Sequence, residues 1–176
     1  DNRYSQKIIE LANNFSETSL NKTRFEIEID WIIFLTTQGG KNFKSLSAAS
    51  KKNLLKIKMS FDDKSAKKIK AIESRTNHDV KAVEYFIKNK FKELDLDKYL
   101  EYIHFGLTSQ DINNTAIPLS IKDALNTIYI PELTELINSI DKKNYEYSEI
   151  PMLARTHGQA ASPTRLGKEF EVFKIR

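Results

Sequence analysis

The sequence predicts an all-α fold. Apolar residues recur at three- and four-residue spacing along most of the chain, helix start and stop signals bracket those stretches, and only one short run alternates like a strand. From Ser16 to Leu35 the apolar positions Leu20, Phe25, Ile27, Ile29, Trp31, Ile32, Ile33 and Leu35 lead to Gly39-Gly40, a helix stop. Phe25-Glu26-Ile27-Glu28-Ile29-Asp30 alternates as a strand does, but the length of the segment and its Gly-Gly end favour a helix. Ala48–Met59 and Asp63–Glu73 read as two shorter helices parted at Ser60 and Phe61. Asp79 is placed to cap a helix reaching about Phe91, with Val80, Val83, Phe86 and Ile87 on one face. A short helix is expected over Leu96–His104, ending at Gly106. The longest element runs from about Gln110 to Tyr147, where Pro118 and Pro131 each remove an amide donor and should bend or break the rod. Ser162-Pro163 reads as a cap followed by Pro at the first helical position. Leu166, Phe170 and Phe173 then keep helical spacing up to Arg176 with no stop signal, so the last helix is expected to be truncated.

A chain of 176 residues can form one sizeable core, or one domain and part of another. Its 40% hydrophobic and 30% charged residues are ordinary for a soluble globular protein. With no Cys, a disulfide framework and a thiolate metal site are both excluded. The most apolar stretch, Trp31–Leu35, is far too short to span a bilayer, and no apolar signal region follows Asp1-Asn2-Arg3. A soluble cytoplasmic protein without membrane association is expected. Residue 1 is not Met, so the biological start is expected to lie elsewhere. The net charge of +4 is unevenly spread, because residues 41–70 hold ten lysines against Asp62 and Asp63. Such a block could meet nucleic acid. It contains no Arg and only Phe43 and Phe61 as aromatics, which leaves little for base stacking, so lysines coating solvated helix faces are the favoured reading.

The three histidines all lie in polar, turn-like clusters: Ser74-Arg75-Thr76-Asn77-His78-Asp79, His104-Phe105-Gly106-Leu107-Thr108-Ser109-Gln110-Asp111, and Ala154-Arg155-Thr156-His157-Gly158-Gln159. Imidazole exchanges a proton near neutral pH, the neighbouring hydroxyls and amides offer neutral hydrogen bonds, and Arg forks onto carboxylate or phosphate. Gly106 and Gly158 allow the backbone to approach a ligand. Together they suit an anionic substrate undergoing proton transfer. No pair has the i, i+4 spacing of metal ligands, so no metal is expected. Structural readings stand beside these: His78 helping a turn, His104 donating to a backbone carbonyl at a helix end, His157 shaping a loop.

The clusters also come in a telling order. Asp1-Asn2-Arg3-Tyr4, Arg75–Tyr85, His104–Ser109 with Asp111–Asn114, Arg155–Gln159 and Gly167–Glu169 together resemble the adenylosuccinate lyase family of the fumarase/aspartase superfamily over nearly the whole chain. The resemblance implies an amino-terminal helical domain over residues 1–109 and, from 110 to 176, the truncated start of a central long-helix bundle. It implies cleavage of adenylosuccinate to AMP and fumarate, and of a succinylated imidazole-carboxamide ribotide in the same way, without a cofactor. Arg3 and Tyr4 would then bind the nucleotide phosphate. Asn77, His78 and Asp79 would line the pocket, with His78 orienting or polarising the substrate. Thr108 and Ser109 would hold a succinyl carboxylate, Gln159 would steady the substrate, and His157 would be the general acid, with His104 near the site. The family's catalytic base is a serine in the motif Ser-Ser-x-Met-Pro-x-Lys-x-Asn-Pro. This sequence lacks it, since neither Met59 nor Met152 has that context, so the chain alone is expected to be inactive. The family also assembles as a homotetramer with active sites shared between subunits. Two other readings are a non-catalytic helical interaction module and a basic nucleic-acid-binding helical domain.

Overall fold

The computed structural model describes residues 3–176. Its helices, in chain order, are α1 (Ile9–Phe15), α2 (Glu17–Gln38), α3 (Ala48–Met59), α4 (Asp63–Thr76), α5 (Asp79–Glu93), α6 (Ser109–Ala124), α7 (Ile130–Glu146) and α8 (Leu166–Ile175). One hairpin, β1 (Pro151–Thr156) and β2 (Gln159–Arg165), interrupts the helical pattern. The fold is therefore helical as expected. Two compact units divide the chain, one ending at Ala124 and the other running from Leu125 to Arg176. α6 lies within the first, where Ile112 and Ala116 are buried.

In the first unit α2 is the shared wall, packing against α1, α3, α4, α5 and α6. Ser16 caps it by accepting from the Ser19 amide at 3.2 Å, and Gly39 closes it by donating to the Leu35 carbonyl. The strand-like alternation at Phe25–Asp30 is helical. Phe25, Ile29 and Ile32 fall on one face at i, i+4 and i+7, and all are buried. They meet Leu54 of α3, Ile69 of α4 and Ile87 of α5 in one core. Burial of a side chain such as Ile69 contributes about 1.5–3 kcal/mol. Ser47 and Asp62 cap α3 and α4 through the amides of Ser50 and Ser65. Their lysines lie mostly on exposed surface, where Lys58 pairs with Asp30 at 2.6 Å and Lys70 with Glu17 and Glu73.

Two local expectations change. The Leu96–His104 segment is a 3₁₀-helix over Asp97–Tyr102, fixed by Tyr99, whose hydroxyl donates to the Ser45 carbonyl, and by Tyr102, which accepts from the Lys44 amide. The 110–147 rod is helical throughout but not uniform. α6 continues through Pro118, but a π-turn over Leu125–Tyr129 precedes α7, and Pro131 stands in the first turn of α7 where its missing amide is harmless.

In the second unit, Ser162-Pro163 does not start a helix. Both residues lie in β2, with Pro163 opposite Leu153, and α8 begins only at Leu166. Pro tolerates this place because the hairpin is two-stranded and has only edges. α8 packs on α7, with Phe170 against Tyr147 at a ring separation of 5.7 Å. Gly167 makes that approach possible. A Cβ there would sit 2.4 Å from the Asn144 carbonyl oxygen and 2.8 Å from the Ser148 Cα, both backbone atoms. Gly167→Ala is therefore expected to lower stability by about 1–3 kcal/mol in urea unfolding, and an unchanged midpoint would disprove this docking of α8.

Candidate functional site

The Asn77–Asp79 turn joins α4 to α5. Asn77 ends α4 in the left-handed region at φ +51°, a conformation Asn accepts more readily than most residues, and its amide donates to the Glu73 carbonyl at 2.8 Å. The cap of α5 is His78, not Asp79. His78 Nδ1 accepts from the Lys81 amide at 3.2 Å, while Asp79 is already the first helical residue. Because Nδ1 accepts, the proton of the neutral ring belongs on Nε2 of a half-exposed side chain, leaving that N–H as a donor. Asp79 commits both oxygens, one to the Val80 amide at 2.8 Å and the other to Arg24 at 2.7 Å. Burial works to raise its carboxyl, but the Val80 amide and the Arg24 guanidinium outweigh that and hold it below the usual range.

The second cluster precedes α6. Asp111 reaches back to accept from the Thr108 amide at 2.7 Å and from its hydroxyl at 3.0 Å, so the helix start is fixed by half of a capping box. Those two bonds also lower the Asp111 carboxyl. Ser109 is the first residue of α6 and is partly exposed. His104, at φ +59°, holds the loop from below. Its amide donates to Glu28 at 3.0 Å and its Nδ1 lies 2.5 Å from the other oxygen of the same carboxylate. Its Nε2 is 3.8 Å from Glu84. The partner is thus a buried carboxylate and not the backbone carbonyl expected for a structural histidine. Glu28 is fully buried; that burial pushes its carboxyl up, His104 opposes the shift, and nearby Glu84 adds to it. Trp31 ties the same loop down by donating to the Phe105 carbonyl at 2.9 Å.

The third cluster lies in the second unit, at the tip of the hairpin. Thr156 pairs with Gln159, so His157-Gly158 is a two-residue turn, and both residues have positive φ, +49° and +75°. That pair of angles is what a type I′ turn requires, with Gly at the second position. Ahead of the tip, Leu153 opposes Pro163 and Arg155 opposes Ala160, leaving Ala154 facing two residues, Ala161 and Ser162. This bulge adds local twist below the tip, a common device next to functional groups. His157, Gly158 and Gln159 are all exposed. Arg3, whose guanidinium lies 5.5 Å from the Tyr4 ring centre, and half-exposed Tyr4 stand before α1.

Within the first unit, then, the turn and the start of α6 are brought together through Arg24, which also bonds Asn113 of α6 at 2.9 Å. Sequence reasoning assigned no role to Arg24, Glu28, Glu84 or Asn113. One signal was available: Asn21, Arg24 and Glu28 recur at i, i+3 and i+7 alongside the apolar face of α2, an unusual place for a charge. Among the described residues no group of His, Asp and Glu side chains could hold a metal ion, and no helix is long and apolar enough to cross a membrane.

A family model described as "Lyase" matches residues 2–175. The chain belongs to this lyase family. Among curated relatives, this lyase chain is 47% identical over 180 residues to the adenylosuccinate lyase of Dictyostelium discoideum, covering 98% of this chain and 38% of that protein. It is 45% identical to the adenylosuccinate lyase of Vibrio cholerae and 42% to that of Escherichia coli, in each case over 96% of this chain and 38% of the relative. The chain therefore spans 38% of the length of these relatives. A solved structure, 3-carboxy-cis,cis-muconate lactonizing enzyme from Pseudomonas putida, superposes with a TM-score of 0.66 at 20% identity, over 94% of this chain and 36% of that one. At that identity the likeness concerns the fold.

Proposed function

We propose that the chain is part of an enzyme that splits adenylosuccinate into AMP and fumarate, and cleaves the succinylated aminoimidazole-carboxamide ribotide by the same β-elimination. The observation that carries this reading is 47% identity to an adenylosuccinate lyase over 98% of the chain, a span that includes all three histidine clusters. In the reaction a base removes the proton from the carbon beside a succinyl carboxylate, the electron pair forms the fumarate double bond, and the C–N bond breaks. The departing amino nitrogen takes a proton. In this reading His157 supplies that proton from the exposed hairpin tip, and Gln159 steadies the substrate beside it. His78 offers Nε2–H to orient or polarise the substrate, with Asn77 and Asp79 shaping the same turn. Thr108 and Ser109 hold a carboxylate, while Arg3 and Tyr4 hold the phosphate. The base is a serine contributed by sequence outside this chain.

The same reading makes the working enzyme a cytoplasmic homotetramer in which subunits share active sites. It is supported by α7, which has no buried residue and exposes Ile130, Leu133, Leu136 and Ile137 as a stripe at helical spacing. The test is an assay of the full-length protein with each substrate, following fumarate release. Stoichiometric fumarate and AMP are expected from adenylosuccinate. A folded full-length protein that releases fumarate from neither substrate overturns the proposal.

A further inference from the structure

Arg24 is buried, 6% exposed, in the middle of α2, yet it carries a full charge. Burying a guanidinium is costly, and an apolar side chain of similar volume would fill the space more cheaply unless the charge fixes a geometry. Each nitrogen of the fork has a different partner. Nη2 lies 2.7 Å from Asp79 Oδ2, Nε donates to Asn113 Oδ1 at 2.9 Å, and Nη1 donates to Asn21 Oδ1 at 3.4 Å. Asp79 adjoins the His78 cap at the start of α5, and Asn113 lies one turn into α6 beyond Thr108 and Ser109. A planar fork bonded on two edges fixes distance and angle together, which the point charge of Lys cannot do.

We propose that Arg24 is a positioning residue: its fork locks the Asn77–Asp79 turn to the start of α6, so that two substrate-contacting segments keep a fixed register. The inference rests on the lyase reading for its catalytic consequence, but the coupling itself belongs to the ligand-free fold. Misplacing a substrate-holding group by about 1 Å can cost up to a hundredfold in rate, so the effect should exceed any loss of folded protein.

The experiment uses the full-length protein with Arg24→Met, Arg24→Lys and Asn113→Ala, beside Ile69→Val as a core control whose substitution lowers Tm away from the fork. Arg24→Met is expected to lower kcat/KM by about tenfold or more, with Arg24→Lys and Asn113→Ala showing smaller losses, while the control stays within about twofold at a comparable Tm. Amide hydrogen exchange of the ligand-free variants should quicken at residues 77–81 and 108–113 together. If Arg24→Met does not fold, the Lys and Ala variants carry the same comparison. Rates within about twofold of wild type, or losses no larger than the control's at equal Tm, overturn the proposal. So does faster exchange confined to one of the two segments. If wild-type protein releases no fumarate, the lyase reading has failed, and the exchange result alone decides the coupling.

Discussion

His157→Ala in the full-length enzyme is expected to lower kcat by about 10²- to 10⁴-fold, the usual range for removing a positioned proton donor, while AMP binding persists. The expectation follows from the hairpin tip, where the imidazole is exposed and the turn geometry is set by the backbone. Position 157 has φ +49°, so Ala also strains the turn, and His157→Asn is the necessary companion because Asn accepts that conformation. Turnover restored by Asn would mean that His157 only shapes the loop. Equal loss of AMP binding and turnover would reject the acid role in another way, since a group acting in the transition state should spare ground-state affinity.

His104→Ala is expected to destabilise the first unit by about 3–5 kcal/mol at neutral pH, the cost of removing one partner from a buried pair. Glu28 is fully buried, and the His104 ring and amide are what its two oxygens meet. The pH dependence has a definite sign. Burial raises the Glu28 carboxyl above its ordinary 4.5, so the folded state holds this proton more tightly than the unfolded chain does. The contribution of Glu28 is fully present below 4.5 and is lost as pH rises through its raised value. Without the ring donor that opposes the shift, the carboxyl rises further. The deficit of the variant relative to wild type should therefore shrink on acidification, as Glu28 takes up its proton. Urea unfolding at neutral pH and in mildly acid buffer measures both quantities. A loss below about 1 kcal/mol that is the same in both buffers would mean that the pair is not buried as described.

Much of the helical frame could be read directly. α3 and α5 follow from helical spacing and from the polar turns that bound them, signals that act within a few residues, although the α5 cap was read one residue late, at Asp79 in place of His78. The hairpin could not be read that way, because Ser162-Pro163 is locally indistinguishable from a cap and first helical residue. What decides it is the pairing of Pro163 with Leu153 and of Thr164 with Met152 across the turn. His-Gly at 157–158 was the overlooked hint, since a two-residue loop with positive φ at both positions favours such a pair. The site divides similarly. The histidine clusters are contiguous and were legible. Arg24 and Glu28 drew no role from the sequence, and distant contacts turn them inward, to Asp79 and Asn113 for Arg24 and to His104 for Glu28.

Those separations bear on how the chain comes off the ribosome. α2 carries a guanidinium and a carboxylate destined for the interior, but the loop that meets Glu28 lies 76 residues downstream, and the Asn113 amide that completes the Arg24 fork lies 89 downstream. At roughly 5–20 residues per second, synthesis leaves each charge several seconds short of its full set of partners, with Asp79 reaching Arg24 before Asn113 does. The nascent helix can pack Phe25 and Ile29 early, yet its polar edge is fully paired only once α6 emerges. The amino-terminal unit is thus closed only once the segment that carries Thr108 and Ser109 has been made.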